Sequence, residues 1–425
     1  MNNVLIMFII FLILLFIRVP IAYSLGVSSL VYLVLAGIPF NIVVEKMYAG
    51  MDSFTLVCIP SFILAGNLMN TGGITKRIVA FCNVFVGHIR GALAYINILA
   101  SVLFAGISGT ALADVASLGS MLIPSMKDEG YDADFAVAIT ASTSVVGPII
   151  PPSVPMVIAG TLTNLSIAKL FVGGIIPGII LGIGFVIPTY VISKKRNYPK
   201  HEKVSGKEKV TTIKQAIWAL LMPIILMVGI LSGIFTPTEA SVVTVLYAFV
   251  VGIFIYKEIK LKDIPAIFRD TVISAGSVIV LVGIANLFAW ILTSERVPQN
   301  IASGILNITQ NKILVILIMN IVLLFVGMFM ESIAAIIIMV PVLLPVAVQI
   351  GMDPVHFSIM AILNLMIGLI TPPVGLCLTT AAQIGKISMG KAIKANMPFM
   401  LVVLGVLLLV SYVPAITTFL PGLMS

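Results

Sequence analysis

The sequence predicts an all-α polytopic membrane protein built as an inverted-topology repeat, with two re-entrant helical hairpins and two broken helices. Three observations predict it. Hydrophobic residues make up 60% of the 425 and Asp, Glu, Lys and Arg only 9%, too few charges to cover a soluble surface of this size. Mean hydropathy is +1.20, and the apolar residues lie in runs long enough to cross a bilayer as helices, not in the short alternating segments of a membrane barrel. Finally, Gly, Pro and Ser/Thr interruptions recur at matching positions in the two halves of the chain.

Uninterrupted apolar runs lie near 2–17, 19–37, 54–70, 171–193, 216–232, 237–256, 271–293 and 397–421. The first, Val4 to Ile17, has no basic flank and no small-residue cleavage site, so it reads as a retained helix rather than a signal peptide. Three regions are apolar but broken. Residues 91–130 carry Gly106-Ile107-Ser108-Gly109-Thr110 at their middle and read as a hairpin turning there. Residues 135–163 carry Gly147-Pro148-Ile149-Ile150-Pro151-Pro152-Ser153 and read as a broken helix. Residues 313–384 carry both kinds of break, giving a second hairpin at about 312–351 and a second broken helix at about 356–384. The stretch 194–215, with eight Lys/Arg and two Glu, reads as a linker between a first repeat, 1–193, and a second, 216–425.

Slid by 221 positions, the halves align Gly106 with Gly327, Pro124 with Pro345, Gly130 with Gly351 and Asp132 with Asp353. Gly147 meets Gly368, and Pro151-Pro152 meets Pro372-Pro373. At an offset of 217, Pro20 meets Pro237 and Ser24 meets Ser241. With the N-terminus outside and five crossings plus one re-entrant hairpin per half, only Lys46, Lys169, Arg296 and Lys312 of the 24 Lys and Arg fall outside. That bias satisfies the positive-inside rule, and an odd number of crossings inverts the second half relative to the first. Both termini are then periplasmic and 194–215 cytoplasmic. A cysteine replacing Ser205 should stay unlabelled by an impermeant reagent in intact spheroplasts; labelling there contradicts this topology.

The tips and breaks are where chemistry concentrates. Pro148, Pro151 and Pro152 lack an N–H and clash with the preceding turn, so they release carbonyls from the helix ladder. Such carbonyls and nearby hydroxyls are hard oxygen donors suited to Na⁺, and half-helix N-termini suit an anionic group. Two kinked helices packing tightly through Gly and Ser are the alternative; the mirrored break at Asn364, Gly368 and Thr371-Pro372-Pro373 argues against it. Two acids lie at membrane depth, where an unpaired charge is costly. Asp114, one turn beyond the first tip, reads as a structural brace. Glu331, at the second tip, is open between brace and ion or proton coupling. Gly233 to Ser241, with Thr236-Pro237 and Glu239, reads as a helix start.

Other classes find no support. Cys58, Cys82 and Cys377 form no CxxC, and no HExxH, GxSxG or P-loop occurs, so the chain is not expected to be an enzyme or an ATP-driven pump. The net charge of +8 gathers in loops beside apolar runs, as membrane topology requires, and does not indicate nucleic-acid binding.

The motifs Gly233-Ile234-Phe235-Thr236-Pro237-Thr238-Glu239-Ala240, Gly106-Ile107-Ser108-Gly109-Thr110-Ala111 with Asp114, Gly147 to Ser153, and Ile370-Thr371-Pro372-Pro373-Val374-Gly375 resemble the large membrane subunit of TRAP (tripartite ATP-independent periplasmic) transporters, from the first helix to the last. The resemblance implies Na⁺-driven uptake of a small organic acid across the bacterial inner membrane by an elevator motion, like that of other ion transporters with two hairpins. Sialic acid is favoured, a C4-dicarboxylate next. It implies a periplasmic substrate-binding protein and a small four-helix membrane subunit, expected here as a separate chain. It places one Na⁺ among Ser108, Gly109, Thr110, Ser144, Gly147 and Pro151, and another among Gly327, Glu331, Asn364, Gly368 and Thr371. Hydroxyls of Ser108, Thr110, Ser153 and Thr371 are expected at the substrate. The alternative is a stand-alone ion-coupled carboxylate symporter that needs no binding protein. An assembly or channel subunit would not need mirrored breaks.

Overall fold

The computed structural model describes residues 2–17, 19–200 and 206–424; the side chains of Asn2, Ile107, Ser108, Leu306 and Ile308 lie outside the described set. Helices carry nearly all of it, and no strand occurs among the described residues. The first half opens with α1 (Asn2–Phe16), α2 (Ile21–Ala36), α3 (Asn41–Met51), α4 (Cys58–Thr71) and α5 (Ile74–Val86). The first hairpin is α6 (Ala92–Ser108), a single turn α7 (Ala111–Asp114), a π turn and α8 (Ser120–Asp128). The broken helix is α9 (Ala133–Thr143) and α10 (Val154–Thr163), and α11 (Ile167–Lys195) closes the half. The second half runs α12 (Gly206–Leu231), α13 (Pro237–Val250), α14 (Ile264–Ser294) and α15 (Val297–Ile308). Its hairpin is α16 (Lys312–Phe329) and α17 (Ser332–Gln349), its broken helix α18 (Pro354–Gly368) and α19 (Leu376–Gly385), followed by α20 (Met389–Tyr412) and α21 (Ala415–Gly422). Eight helical stretches among the described residues are long and apolar enough to cross a membrane.

Local sequence explains the boundaries. Thr236 and Glu239 form a reciprocal capping box at the start of α13, with Pro237 in the first turn, as the motif there predicts. Gly130 and Gly351, partners in the repeat, both take a left-handed conformation (φ +84° and +68°) and end the returning arms of the two hairpins. Asp132 and Asp353 share φ −63° and ψ 134° and start α9 and α18. At the 221 offset, α5–α11 match α15–α20, with α7 and α8 together matching the single α17, and α3 and α4 together matching the single α14.

Four details differ from the sequence reading. The helices α3, α5 and α15 carry too many polar residues to stand out as apolar runs. In α5, Ile74, Ile78 and Cys82 share one buried face, a spacing of four that marks an amphipathic helix. The helix α12 already begins at Gly206, inside the stretch read as linker, because Lys and Glu are good helix formers. The helix α14 starts at Ile264, ahead of the apolar run. The run 397–421 is two helices, because Pro414 cannot continue the ladder of α20.

The helix α11, 29 residues long and so about 43 Å at 1.5 Å per residue, serves as a ruler. At its C-terminal end Arg196 pairs with Asp132 (2.9 Å) and Asp134 (2.8 Å), at the base of the first hairpin. Near its other end Gly173 packs on Thr417. Thr417 in turn hydrogen-bonds His356 (2.7 Å), at the base of the second hairpin. The hairpins thus enter from opposite ends. Basic residues gather at the Arg196 end: Arg77 pairs there with Glu258 and stacks on Tyr256, and Lys127 donates to the Gly385 carbonyl. The helices form two packing groups. One is built on α2, α3, α4, α13 and α14, the other on the hairpins, the broken helices, α11 and α20. Their outer faces expose Leu5, Ile9 and Ile13 of α1, Ile183 and Ile187 of α11, and Leu401 of α20, an apolar belt suited to lipid.

Candidate functional site

At the first tip, Gly109 takes φ +61° and ends α6. Thr110 then turns extended, and its hydroxyl accepts from the Ala113 N–H (3.4 Å) to start α7. The Gly109 carbonyl accepts from the Val154 N–H (3.3 Å). A Cβ on Gly109 would lie 2.8 Å from the Pro152 carbonyl oxygen, so only glycine lets tip and break approach this closely. Beyond α9, a 3-10 turn over Ser144–Val146 leads into the break, where the Ile149 and Ile150 N–H groups both use the Val146 carbonyl. Gly147 faces the carboxylate of Asp114: an added Cβ would lie 2.5 Å from Oδ2. Asp114, on the returning arm, is buried at 1% exposure with its carboxylate against the break.

The second tip and break pack still more closely. A Cβ on Gly368 would penetrate the Gly327 carbonyl. Glu331 caps α17: Oε2 accepts from the Ile333 N–H (2.9 Å) and the Ala334 N–H (3.2 Å), and Oε1 from the Ser332 hydroxyl (3.0 Å). Thr110 and Glu331, partners in the repeat, are both N-caps, one neutral and one acidic. Asn364, the partner of Thr143, donates through Nδ2 to the Asn320 carbonyl (3.0 Å) and to its Oδ1 (2.8 Å). Its own Oδ1 is buried without a donor.

Both tips reach one central cavity of about 420 Å³. Thr110 and Glu331 line it together, with Pro148 of the first break and Leu369 beside the second, and α4 and α14 contribute Asn67, Asn70 and Ser274. No Lys or Arg is among the described residues lining it. A second cavity of about 300 Å³ shares Asn70 and Ser117 with the first and opens beside Lys76 and Glu258, toward the basic end.

The structure thus brings Gly109, Thr110, Ser144, Gly147 and Pro151 together around one tip, and Gly327, Glu331, Asn364, Gly368 and Thr371 around the other. Two of the hydroxyls expected at the substrate are engaged by backbone carbonyls. Ser153 is fully buried, its hydroxyl donating to the Pro148 carbonyl (2.5 Å) and accepting from the Met156 N–H (3.2 Å) as the cap of α10. Thr371 donates back to the Ile367 carbonyl (2.6 Å). Neither lines the central cavity: the Ser153 hydroxyl satisfies the Pro148 carbonyl, whose i+4 residue Pro152 has no N–H, and the Thr371 hydroxyl bonds back to a carbonyl four residues earlier. The Ser108 hydroxyl lies outside the described residues. Sequence reasoning missed Asn67, Asn70 and Ser274, although two amides one turn apart in an apolar run are a readable signal.

A helical membrane protein whose inverted halves each bring a hairpin tip and a helix break to one central cavity has the architecture of a secondary transporter. The chain matches the family described as "Tripartite ATP-independent periplasmic transporter, DctM component" over residues 8–416, and it belongs to that family. It is 43% identical to the sialic acid TRAP transporter large permease protein SiaM of Vibrio cholerae, covering 96% of each chain. It is 38% identical to the C4-dicarboxylate TRAP transporter large permease protein DctM of Pseudomonas aeruginosa, over 94% of each. The sialic acid TRAP transporter permease protein SiaT of Haemophilus influenzae is 38% identical over all of this chain, which spans 69% of that protein. In fold it is similar to the YdaH transporter of Alcanivorax borkumensis, with a TM-score of 0.63 at 15% identity, covering 88% of this chain and 87% of that one.

Proposed function

We propose that this permease imports a small organic acid, a sialic-acid-type sugar acid before a C4-dicarboxylate, driven by co-transported Na⁺. A periplasmic binding protein delivers the substrate, and a small four-helix membrane subunit completes the complex in the bacterial inner membrane, with both termini periplasmic. The observation that carries this reading is the cavity reached by both tips, whose mostly apolar wall carries a few hydroxyls, two amides and one acid, with no Lys or Arg among its described residues. An anion entering beside Glu331 needs positive charge from elsewhere, and bound Na⁺ supplies it. The donors fit that ion, being neutral oxygens with a buried Asn364 Oδ1 that lacks a donor. The amides of Asn67 and Asn70 and the hydroxyls of Thr110 and Ser274 on the cavity wall are groups that can hydrogen-bond the hydroxyls of a sugar acid. Movement of the hairpin group against the α2–α4 and α13–α14 group would carry the cavity from one end to the other, and the second cavity is the route out toward the basic end.

Uptake by proteoliposomes holding the permease, the small subunit and the binding protein tests the reading. Sialic acid uptake should fall by at least about tenfold, roughly 1.4 kcal/mol, when K⁺ replaces the inward Na⁺ gradient, and equally when the binding protein is omitted. Uptake indifferent to Na⁺ overturns the coupling. Uptake indifferent to the binding protein favours the stand-alone symporter.

A further inference from the structure

Asn396, in the second turn of α20, is fully buried and joins the two breaks. Its Oδ1 accepts from the Ser142 hydroxyl (2.6 Å), in the last turn of α9 before the first break. Its Nδ2 donates to the Ile370 carbonyl (3.0 Å), the last peptide before Thr371-Pro372-Pro373 in the second. One amide therefore holds a hydroxyl of one half and a carbonyl of the other, and α9 packs against both α19 and α20.

The repeat shows that this link is not a by-product of symmetry. The partner of Ile370 is Ile149, and the partner of Asn396 is Ile175. In the first half, Gly174 of α11 lies directly against the Ile149 carbonyl, where a Cβ would not fit. The same carbonyl is thus met by bare backbone in one half and by an amide donor in the other. Burying an amide costs free energy unless both its ends are satisfied, and here the partners that satisfy them come from opposite breaks.

We propose that Asn396 is a positioning residue that couples the two cation sites: it fixes the Ile370 carbonyl, and hence the turn through Thr371, according to the position of Ser142 and the first break. Filling one site then favours filling the other. The inference rests on the Na⁺-coupled reading above.

The test is Na⁺ titration of uptake in the same proteoliposomes, for wild type, Ser142→Ala, Asn396→Leu and the double variant, with thermal stability in detergent measured in parallel. Wild type should titrate cooperatively. Ser142→Ala and Asn396→Leu should each lose that cooperativity and weaken apparent Na⁺ affinity about 5-fold or more, in the range of typical site–site coupling. The double variant should be no worse than Asn396→Leu alone. Cooperativity kept at the wild-type level in Ser142→Ala, whatever its melting temperature, overturns the proposal and leaves Asn396 a packing group; this arm stands even where Asn396→Leu does not fold. Wild-type titration that depends on Na⁺ without cooperativity also overturns it, with the transport reading intact. A wild type indifferent to Na⁺ overturns both.

Discussion

Gly368→Ala should cost about 3 kcal/mol or more and abolish uptake, the largest single-methyl effect expected in this chain. In a helix, Gly to Ala ordinarily stabilises by roughly 0.5–1 kcal/mol. Here the added Cβ would penetrate the Gly327 carbonyl, with the Gly327 carbonyl carbon and Cα close behind. All three are backbone atoms, so no rotamer change relieves the overlap, and α16 would have to move away from α18. Separating them pulls the second tip off its break and disperses Gly327, Glu331 and Thr371. Gly405→Ala, on α20 with nothing within 4 Å of its Cβ, is the control and should match or exceed wild-type stability. Thermal unfolding in detergent and uptake decide it: Gly368→Ala melting within a few degrees of Gly405→Ala would show that the two backbones can separate freely.

Glu331 should give the second large effect, and two substitutions divide it. Its carboxylate accepts two N–H groups and a hydroxyl of its own turn while facing the central cavity. Glu331→Gln keeps an acceptor for the cap but removes the charge. It should cost less than about 1 kcal/mol of stability while weakening apparent Na⁺ affinity clearly. Glu331→Ala removes cap and charge together and should cost up to about 2 kcal/mol, in line with lost N-caps elsewhere. Asp114→Asn is the contrast. Buried against Gly147 at the first break, it should lower stability or yield with Na⁺ dependence retained. Glu331→Gln that titrates like wild type while losing stability would make Glu331 a brace alone.

The sequence showed the halves most clearly where backbone geometry leaves no choice of residue. Glycine at 130 and 351, aspartate at 132 and 353, and the paired prolines stand at one offset because two inverted copies make the same turns. The tips and breaks were legible for the same reason: proline and glycine act on the chain that carries them. The helices α3, α5 and α15 were not, since polar and charged residues interrupt their apolar positions. Nor was the direction of a hydroxyl. Ser153 and Thr371 stand in motifs that suggest a ligand, but Ser153 turns back on the Pro148 carbonyl that its break set free, and Thr371 on the Ile367 carbonyl four residues earlier.

What the sequence determined by itself is therefore local and topological: the membrane class, the inverted repeat, the charge asymmetry of the two ends, and the turns fixed by Gly and Pro. The tertiary structure decided which of those turns meet. It closed Gly368 on Gly327 and Asp114 on Gly147, set Thr110 and Glu331 on one cavity with Asn67 and Asn70 opposite, and joined Ser142 to Ile370 through Asn396. The physical reason is range. A proline break or a glycine turn is written in a few consecutive residues. A buried amide takes its partners from whatever the packed helices bring within about 3 Å, here from positions more than 200 residues apart in the chain.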